Sequence, residues 1–128
     1  MKAAFLVDYA ADRSSQFGDL PEHSRNKDLV PIDVMTAGVN PVEVEMRAGN
    51  LRAVLPYIFP QVSGFDVSGI VREAPAGSRF KPGDEVYARL PNRAPGAYAE
   101  RAIVPEALLT TMAATLRMST LRACQRSR

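Results

Sequence analysis

The chain has 128 residues, 46% apolar and 23% charged, the composition of an ordinary globular domain that buries roughly two thirds of its unfolded surface. No window approaches the ~18 uninterrupted apolar residues of a membrane span, and the single cysteine, Cys124, excludes an internal disulfide and any zinc site built from cysteines. The formal charge of +2 divides unevenly: in residues 106–128 four arginines stand against Glu106, a net +3, which leaves the first 105 residues at −1, so the basic character marks a solvated chain end rather than a nucleic-acid or membrane surface.

In chain order, Lys2 to Val7 reads as a short apolar strand; Asp8 ends it too soon for a signal-peptide core, so a cytoplasmic protein is expected. Leu29 to Ala37 reads as a second strand, alternating from Asp33 onward. Pro31 cannot donate a ladder hydrogen bond, which places that part at a sheet edge or a bulge. Asn40 is a good helix cap and Pro41 a good first helical residue, so Pro41 to Arg47 is expected to form a helical turn. Ser68 to Glu73 is a strand centred on Ile70 and Val71. Lys81-Pro82-Gly83-Asp84 makes a turn, because proline presets φ and glycine accepts positive φ. Glu85 to Leu90 and Ala97 to Val104 are further strands. Prolines and glycines punctuate residues 18–105 and none follows, so the chain changes character there. Helix formers with Leu109, Met112 and Leu116 suggest a helical or disordered tail. Short strands between proline-glycine turns indicate a mainly β fold with short helices, a small barrel or sandwich.

Three ordered segments carry a resemblance. The first is Ala37-Gly38-Val39-Asn40-Pro41-Val42-Glu43 with Arg47-Ala48-Gly49. The second is Gly64-Phe65-Asp66-Val67-Ser68-Gly69-Ile70-Val71. The third is Phe80-Lys81-Pro82-Gly83-Asp84-Glu85-Val86-Tyr87 with Gly96-Ala97-Tyr98-Ala99-Glu100. Together they resemble the N-terminal, GroES-like domain of medium-chain dehydrogenases/reductases, in the quinone oxidoreductase branch. The resemblance covers residues 1–109 and leaves 110–128 as a non-family basic tail, expected to arise from a frameshift or premature stop. It implies a GroES-like, partly open β-barrel facing a separate nucleotide-binding domain. It further implies hydride transfer from NADPH or NADH to a small quinone or enone, with the cofactor supplying the chemistry and the protein orientation and electrostatics.

The resemblance also assigns residues. Zinc-dependent relatives place a cysteine near Asn40 and a histidine at Phe65; neither a carboxamide nor a phenyl ring replaces those ligands, so no zinc is expected. The lone histidine, His23, lies in a polar loop and reads as a surface residue. Asn40 is implied to sit in the cleft near the nicotinamide or substrate, where a carboxamide both donates and accepts; capping the helix is compatible with that. Phe65 either walls the substrate pocket or packs in the core, and Asp66 either lines the cleft or stabilises a turn. Arg47 either approaches a cofactor phosphate or pairs with Glu43 at i, i+4 on the surface. Glu45 stands where many relatives have a tyrosine near the cofactor. Gly64 and Gly69 serve backbone geometry, and Tyr57 and Tyr98 read as packing residues.

The glycines, at 18, 38, 49, 64, 69, 77, 83 and 96, include no pair two or three positions apart. G-x-G-x-x-G is therefore absent, and with it the usual dinucleotide turn of a Rossmann unit. The expectation is a catalytic domain truncated before its nucleotide-binding partner and inactive alone. Its exposed docking face is then open to self-association. The alternative is a non-catalytic remnant, a binding or interaction module that keeps only the barrel. A co-chaperonin role would rest on fold alone.

Overall fold

In the computed structural model the described residues are 1–9, 15–22, 24 and 26–112. His23, Leu116 and Cys124 lie outside them. Among the described residues, eight strands form two sheets. β1 (Lys2–Leu6) lies between β2 (Gln16–Asp19) and β4 (Gln61–Val62). The larger sheet runs β7-β3-β5-β6-β8, with β3 at Leu29–Ala37, β5 at Asp66–Val71, β6 at Glu85–Arg89, β7 at Arg101–Pro105 and β8 at Thr110–Thr111. All pairings are antiparallel. The sheets meet where residues 98–100 pass between them. Ala4 N–H donates to the Tyr98 carbonyl (2.7 Å) and Glu100 N–H to Lys2, while the Glu100 carbonyl accepts from Val34 of β3. One peptide segment thus stitches β1 to β3, and the barrel is left partly open, as the resemblance implied.

Alternation decides which face goes inside. Val86 and Ala88 of β6 are buried while Glu85, Tyr87 and Arg89 are exposed; Ala102 and Val104 of β7 are buried in the same rhythm. These side chains meet Val30, Ile32, Val67, Val71, Phe80 and Leu109 in the main core. Each fully buried Val, Ile or Leu contributes roughly 1.5–3 kcal/mol. A second core, Leu6, Met46, Tyr57 and Phe65, lies under the one α-helix among the described residues, α1 (Pro41–Ala48).

Several elements differ from the sequence reading. Pro31 stands in a central strand, not an edge. Its carbonyl accepts from Arg72 N–H (2.9 Å) on the β5 side, and in extended chain a residue's nitrogen points the same way as its carbonyl. The β3–β5 pairing starts only at Ile32, so the missing donor faces the place where that ladder has stopped. The bulge lies further on, between Val34 and Thr36. The strand read over Ala97 to Val104 begins as the stitch and becomes β7 only at Arg101. The start of the tail is not helical: Glu106–Leu108 make one 3₁₀ turn, and Thr110 and Thr111 pair with Tyr87 and Val86. β2 and β4 were not legible beforehand.

Candidate functional site

Helix α1 places the site. Asn40 ends the extended chain at φ −121°, ψ 146°, with Pro41 as the first helical residue. The helix closes on Gly49 in the left-handed region, φ 83°, whose N–H returns to the last turn; a Cβ there would also meet the Tyr9 ring at 3.2 Å. Both ends are therefore satisfied locally. Glu43, three residues after the cap, reaches back so that the Asn40 N–H donates to its Oε2 (3.3 Å), one half of a capping box. That spacing was visible in the sequence, but its partner across the fold was not.

The Asn40 side chain is turned toward β5. Its Nδ2 donates to Asp66 Oδ2 at 2.6 Å. Asp66 Oδ1 receives the Arg89 guanidinium at 3.4 Å, and Arg89 also meets Asn92 Oδ1. The Arg89–Asp66 pair is half exposed, worth about 0–1 kcal/mol as an ion pair; its use is to orient Asp66 on Asn40. An amide nitrogen has two hydrogens, and Asp66 takes one of them. Asn40 and Asp66 are thus brought together.

Phe65 is not at an open wall. It is fully buried with Leu6, Met46 and Tyr57, with the Arg89 guanidinium 5.3 Å from its ring centre. This is the packing role left open for it. Glu45 is exposed and accepts from Asn50 Nδ2 at 2.7 Å, beyond the helix end. It stands apart from the Asn40–Asp66 pair. Arg47 does not make the expected pair with Glu43; among the described residues no ion pair joins them. Its Nε is buried without a hydrogen-bond partner. The reason is that Glu43 turns inward instead, to Tyr98. Gly64 and Gly69 serve geometry as expected: Gly64 has φ 96° with the Tyr98 ring against it.

Tyr98 is more than a packing residue. Its hydroxyl contacts Glu43 Oε2 and lies 3.0 Å from the Gly38 carbonyl. Tyr57 does pack in the second core, with its hydroxyl 3.5 Å from Met46 Sδ, the Tyr9 ring parallel to it and Phe59 edge to face against both. Burial, with the Glu43 charge nearby, pushes the Tyr57 phenol up to about 12. Burial raises the Glu43 carboxyl above the ordinary glutamate range, opposed by its hydrogen bond with Tyr98 and by backbone N–H groups.

A raised carboxyl means that the folded chain holds this proton more tightly than the unfolded chain does. The stabilisation is complete below the unfolded value, near ~4.3, and is lost as pH rises through the folded one. The urea midpoint should therefore carry a component that falls as pH rises out of that range. Glu43→Gln should remove that component; an unchanged slope would refute it.

Among the described residues, three buried polar side-chain atoms lack a partner: Glu43 Oε1, Arg47 Nε and Ser68 Oγ. Two of them, Glu43 Oε1 and Arg47 Nε, lie on α1. A cavity of about 410 Å³ opens elsewhere, lined by Leu29, Pro31, Arg72, Pro75, Arg101 and Ile103 among others. It sits at the end of β3 opposite Asn40, and its arginines are already paired with Asp33 and Glu22. Around α1, Val39 (78%), Val44 (50%), Val54 (66%) and Ile58 (85%) stand exposed. No helix among the described residues is long and apolar enough to cross a membrane.

Residues 26–114 match the family model of the alcohol dehydrogenase GroES-like domain. The chain is 38% identical over 90 residues to a chloroplastic quinone-oxidoreductase homolog of Spinacia oleracea, covering 70% of this chain and 27% of that one. It is also 38% identical over 90 residues to a chloroplastic NADPH-dependent alkenal/one oxidoreductase of Arabidopsis thaliana, covering 65% and 23%. A crystal structure of a probable oxidoreductase from Mycobacterium abscessus superposes with a TM-score of 0.77 at 29% identity, over 91% of this chain and 36% of that one. The chain thus spans about a quarter of the length of the curated relatives it matches.

Proposed function

The chain belongs to the alcohol dehydrogenase GroES-like domain family, and from that premise we propose that it forms the substrate-facing half of a zinc-independent quinone or enone oxidoreductase. The observation that carries this is Asn40, a carboxamide held on Asp66 at the mouth of α1. A zinc-dependent relative would present a thiolate there. Phe65, at the histidine position, offers only a buried phenyl ring. This donor set does not suit zinc.

It does suit NADPH or NADH in part. The second Asn40 amide hydrogen can meet a polar edge of a nicotinamide or a substrate carbonyl; Arg47, whose Nε is buried, would have to offer its terminal guanidinium nitrogens to a phosphate or carboxamide oxygen. Glu45, held on Asn50, is the weakest of the three assignments. When bound, the reduced nicotinamide supplies the hydride; the residues described here orient and exclude water. Asp66 orients the Asn40 carboxamide, so a substrate carbonyl placed on Asn40 would be oriented with it.

Holding the nicotinamide falls to a nucleotide-binding domain, because no glycine pair here has dinucleotide-turn spacing. Val39, Val44, Val54 and Ile58 supply apolar surface for docking it, or for self-association when it is missing. The glycine spacing also favours a second reading, a barrel-only module without catalysis. Titration with NADPH, following nicotinamide fluorescence, and assay of quinone-dependent NADPH oxidation separate them. The 128-residue chain should show neither activity. Joined to the nucleotide-binding domain of a relative it should show both, and Asn40→Ala should then lower kcat/KM roughly tenfold, the worth of one hydrogen bond of about 1.4 kcal/mol. Saturable binding and oxidation by the 128 residues alone would overturn the division of labour, and a joined protein that folds but stays inactive would favour the module.

A further inference from the structure

The geometry points to Glu43 as the positioning residue of the α1 site: as a neutral carboxylic acid it donates to Tyr98, which donates to Gly38, and this relay fixes the turn that presents Asn40. The case begins with counting hydrogens. The Tyr98 hydroxyl has one hydrogen and two oxygens within reach, the Gly38 carbonyl at 3.0 Å and Glu43 Oε2. Gly38 can only accept. An ionised Glu43 can also only accept. One of the two contacts would then lack a hydrogen. A proton on Glu43 Oε2 fills both: Glu43 donates to Tyr98 Oη, and Tyr98 donates to the Gly38 carbonyl. The Asn40 N–H still finds a lone pair on Oε2.

The backbone N–H groups of Asn40 and Phe65 favour the ionised form, but burial outweighs them. Glu43 Oε1 is buried without a partner, a costly place for half of a carboxylate charge. Asp66 faces Glu43 from the start of β5 and is itself the anion of this site, holding Arg89 and Asn40. A second negative charge beside it is disfavoured. Tyr57 faces Glu43 from the chain after α1 and Tyr98 from the stitch between the sheets; neither brings a positive charge. Arg47, one turn along α1, makes no ion pair with it.

The consequence is mechanical. Gly38 and Asn40 flank the exposed Val39, and both are tied to Glu43, one through Tyr98 and one through its own N–H. The Gly38 N–H is meanwhile held by the Asp66 carbonyl at 2.9 Å. Ionising Glu43 releases one end of this loop. The inference deepens the reading of Asn40 as the ligand-facing residue and rests on it for its functional meaning, but the relay itself can be tested without a ligand.

The test is a pH titration of the full 128-residue chain by NMR, following the Glu43 side-chain carboxyl carbon, the Gly38 carbonyl carbon and both Asn40 nitrogens. Glu43 should titrate above the ordinary glutamate range, with the Gly38 and Asn40 signals moving at the same midpoint. In Glu43→Gln the Gly38 carbonyl and the Asn40 backbone nitrogen should stay near their acid-form positions at every pH. In Tyr98→Phe the Gly38 carbonyl should stop following Glu43. A residue that only packed would leave the Gly38 carbonyl and the Asn40 backbone nitrogen without a step at the Glu43 midpoint. A Glu43 midpoint in the ordinary range, or Gly38 and Asn40 signals that ignore it, overturns the proposal, and the wild-type titration decides this even if a variant fails to fold. Failure of NADPH to bind any form of the protein would count against the functional reading and leave this titration unchanged.

Discussion

Phe65→Ala should destabilise the domain by about 3–5 kcal/mol, the range for emptying a fully buried aromatic site. Phe65 has no exposed surface and closes the second core between Leu6 of β1, Met46 of α1 and Tyr57. Removing the ring leaves a hole under the helix that carries Asn40. It also strips the apolar face from beneath Arg89. A domain of this size has only about 5–15 kcal/mol of net stability, so the loss should appear as a large fall in the urea midpoint by far-UV circular dichroism. Ile58→Ala is the matched control. Ile58 is 85% exposed, and its loss should stay within about 0.5 kcal/mol. A cost below about 1 kcal/mol for Phe65→Ala would mean that the ring lines an open wall after all, and that the helix is held by something else.

The prediction turns on a residue whose position was readable and whose surroundings were not. Phe65 follows Gly64 in a segment that identifies the family, so its place near the site was legible. Whether it packs or faces a pocket depends on which way the chain turns after Gly64. That turn is set by a positive φ and by Tyr98, far along the chain. The same limit applies across the site. Asn40 as a cap and Pro41 as a helix start are local signals, and α1 ran one residue past the expected end. Glu43 was misassigned to Arg47 because i, i+4 spacing is visible in a sequence and a contact with Tyr98 is not. Pro31 was misplaced for a related reason. Proline forbids a hydrogen bond in one direction only, and the sequence does not say which neighbour stops short on that side. β2 and β4 have too few apolar residues to show a period, and they exist because β1 offers them an edge. The barrel itself was legible through β3, β5 and β6, where alternation and proline-glycine turns agree.

Gly69→Ala should be among the most damaging single methyls in the domain. A Cβ at Gly69 would stand 2.1 Å from the Asp33 carbonyl oxygen and 3.0 Å from its carbon. Both atoms are backbone, so no side chain can swing aside. Gly69 lies opposite Val34, next to the bulge that bends β3 across β5, and the bulge is what brings the two chains so close. Relief requires β3 and β5 to separate at the centre of the five-stranded sheet, with Val30, Ile32, Val67 and Val71 on either side. The expected cost is at least about 3 kcal/mol, the upper end for forcing extra volume into a packed core. Two other glycines calibrate it. At Gly77 a Cβ meets nothing, but φ is 82°, so alanine should cost only the left-handed strain of roughly 1–2 kcal/mol. At Gly96 a Cβ meets nothing and the φ is ordinary, so alanine should be neutral within about 0.5 kcal/mol. The order Gly69, Gly77, Gly96 in urea midpoints therefore separates collision from backbone strain from neither. A Gly69→Ala protein as stable as Gly96→Ala would show that β3 and β5 are not pressed together at the bulge. Because β3 leads directly into Gly38 and Asn40, any partial separation should also disturb the Asn40–Asp66 contact before the chain unfolds.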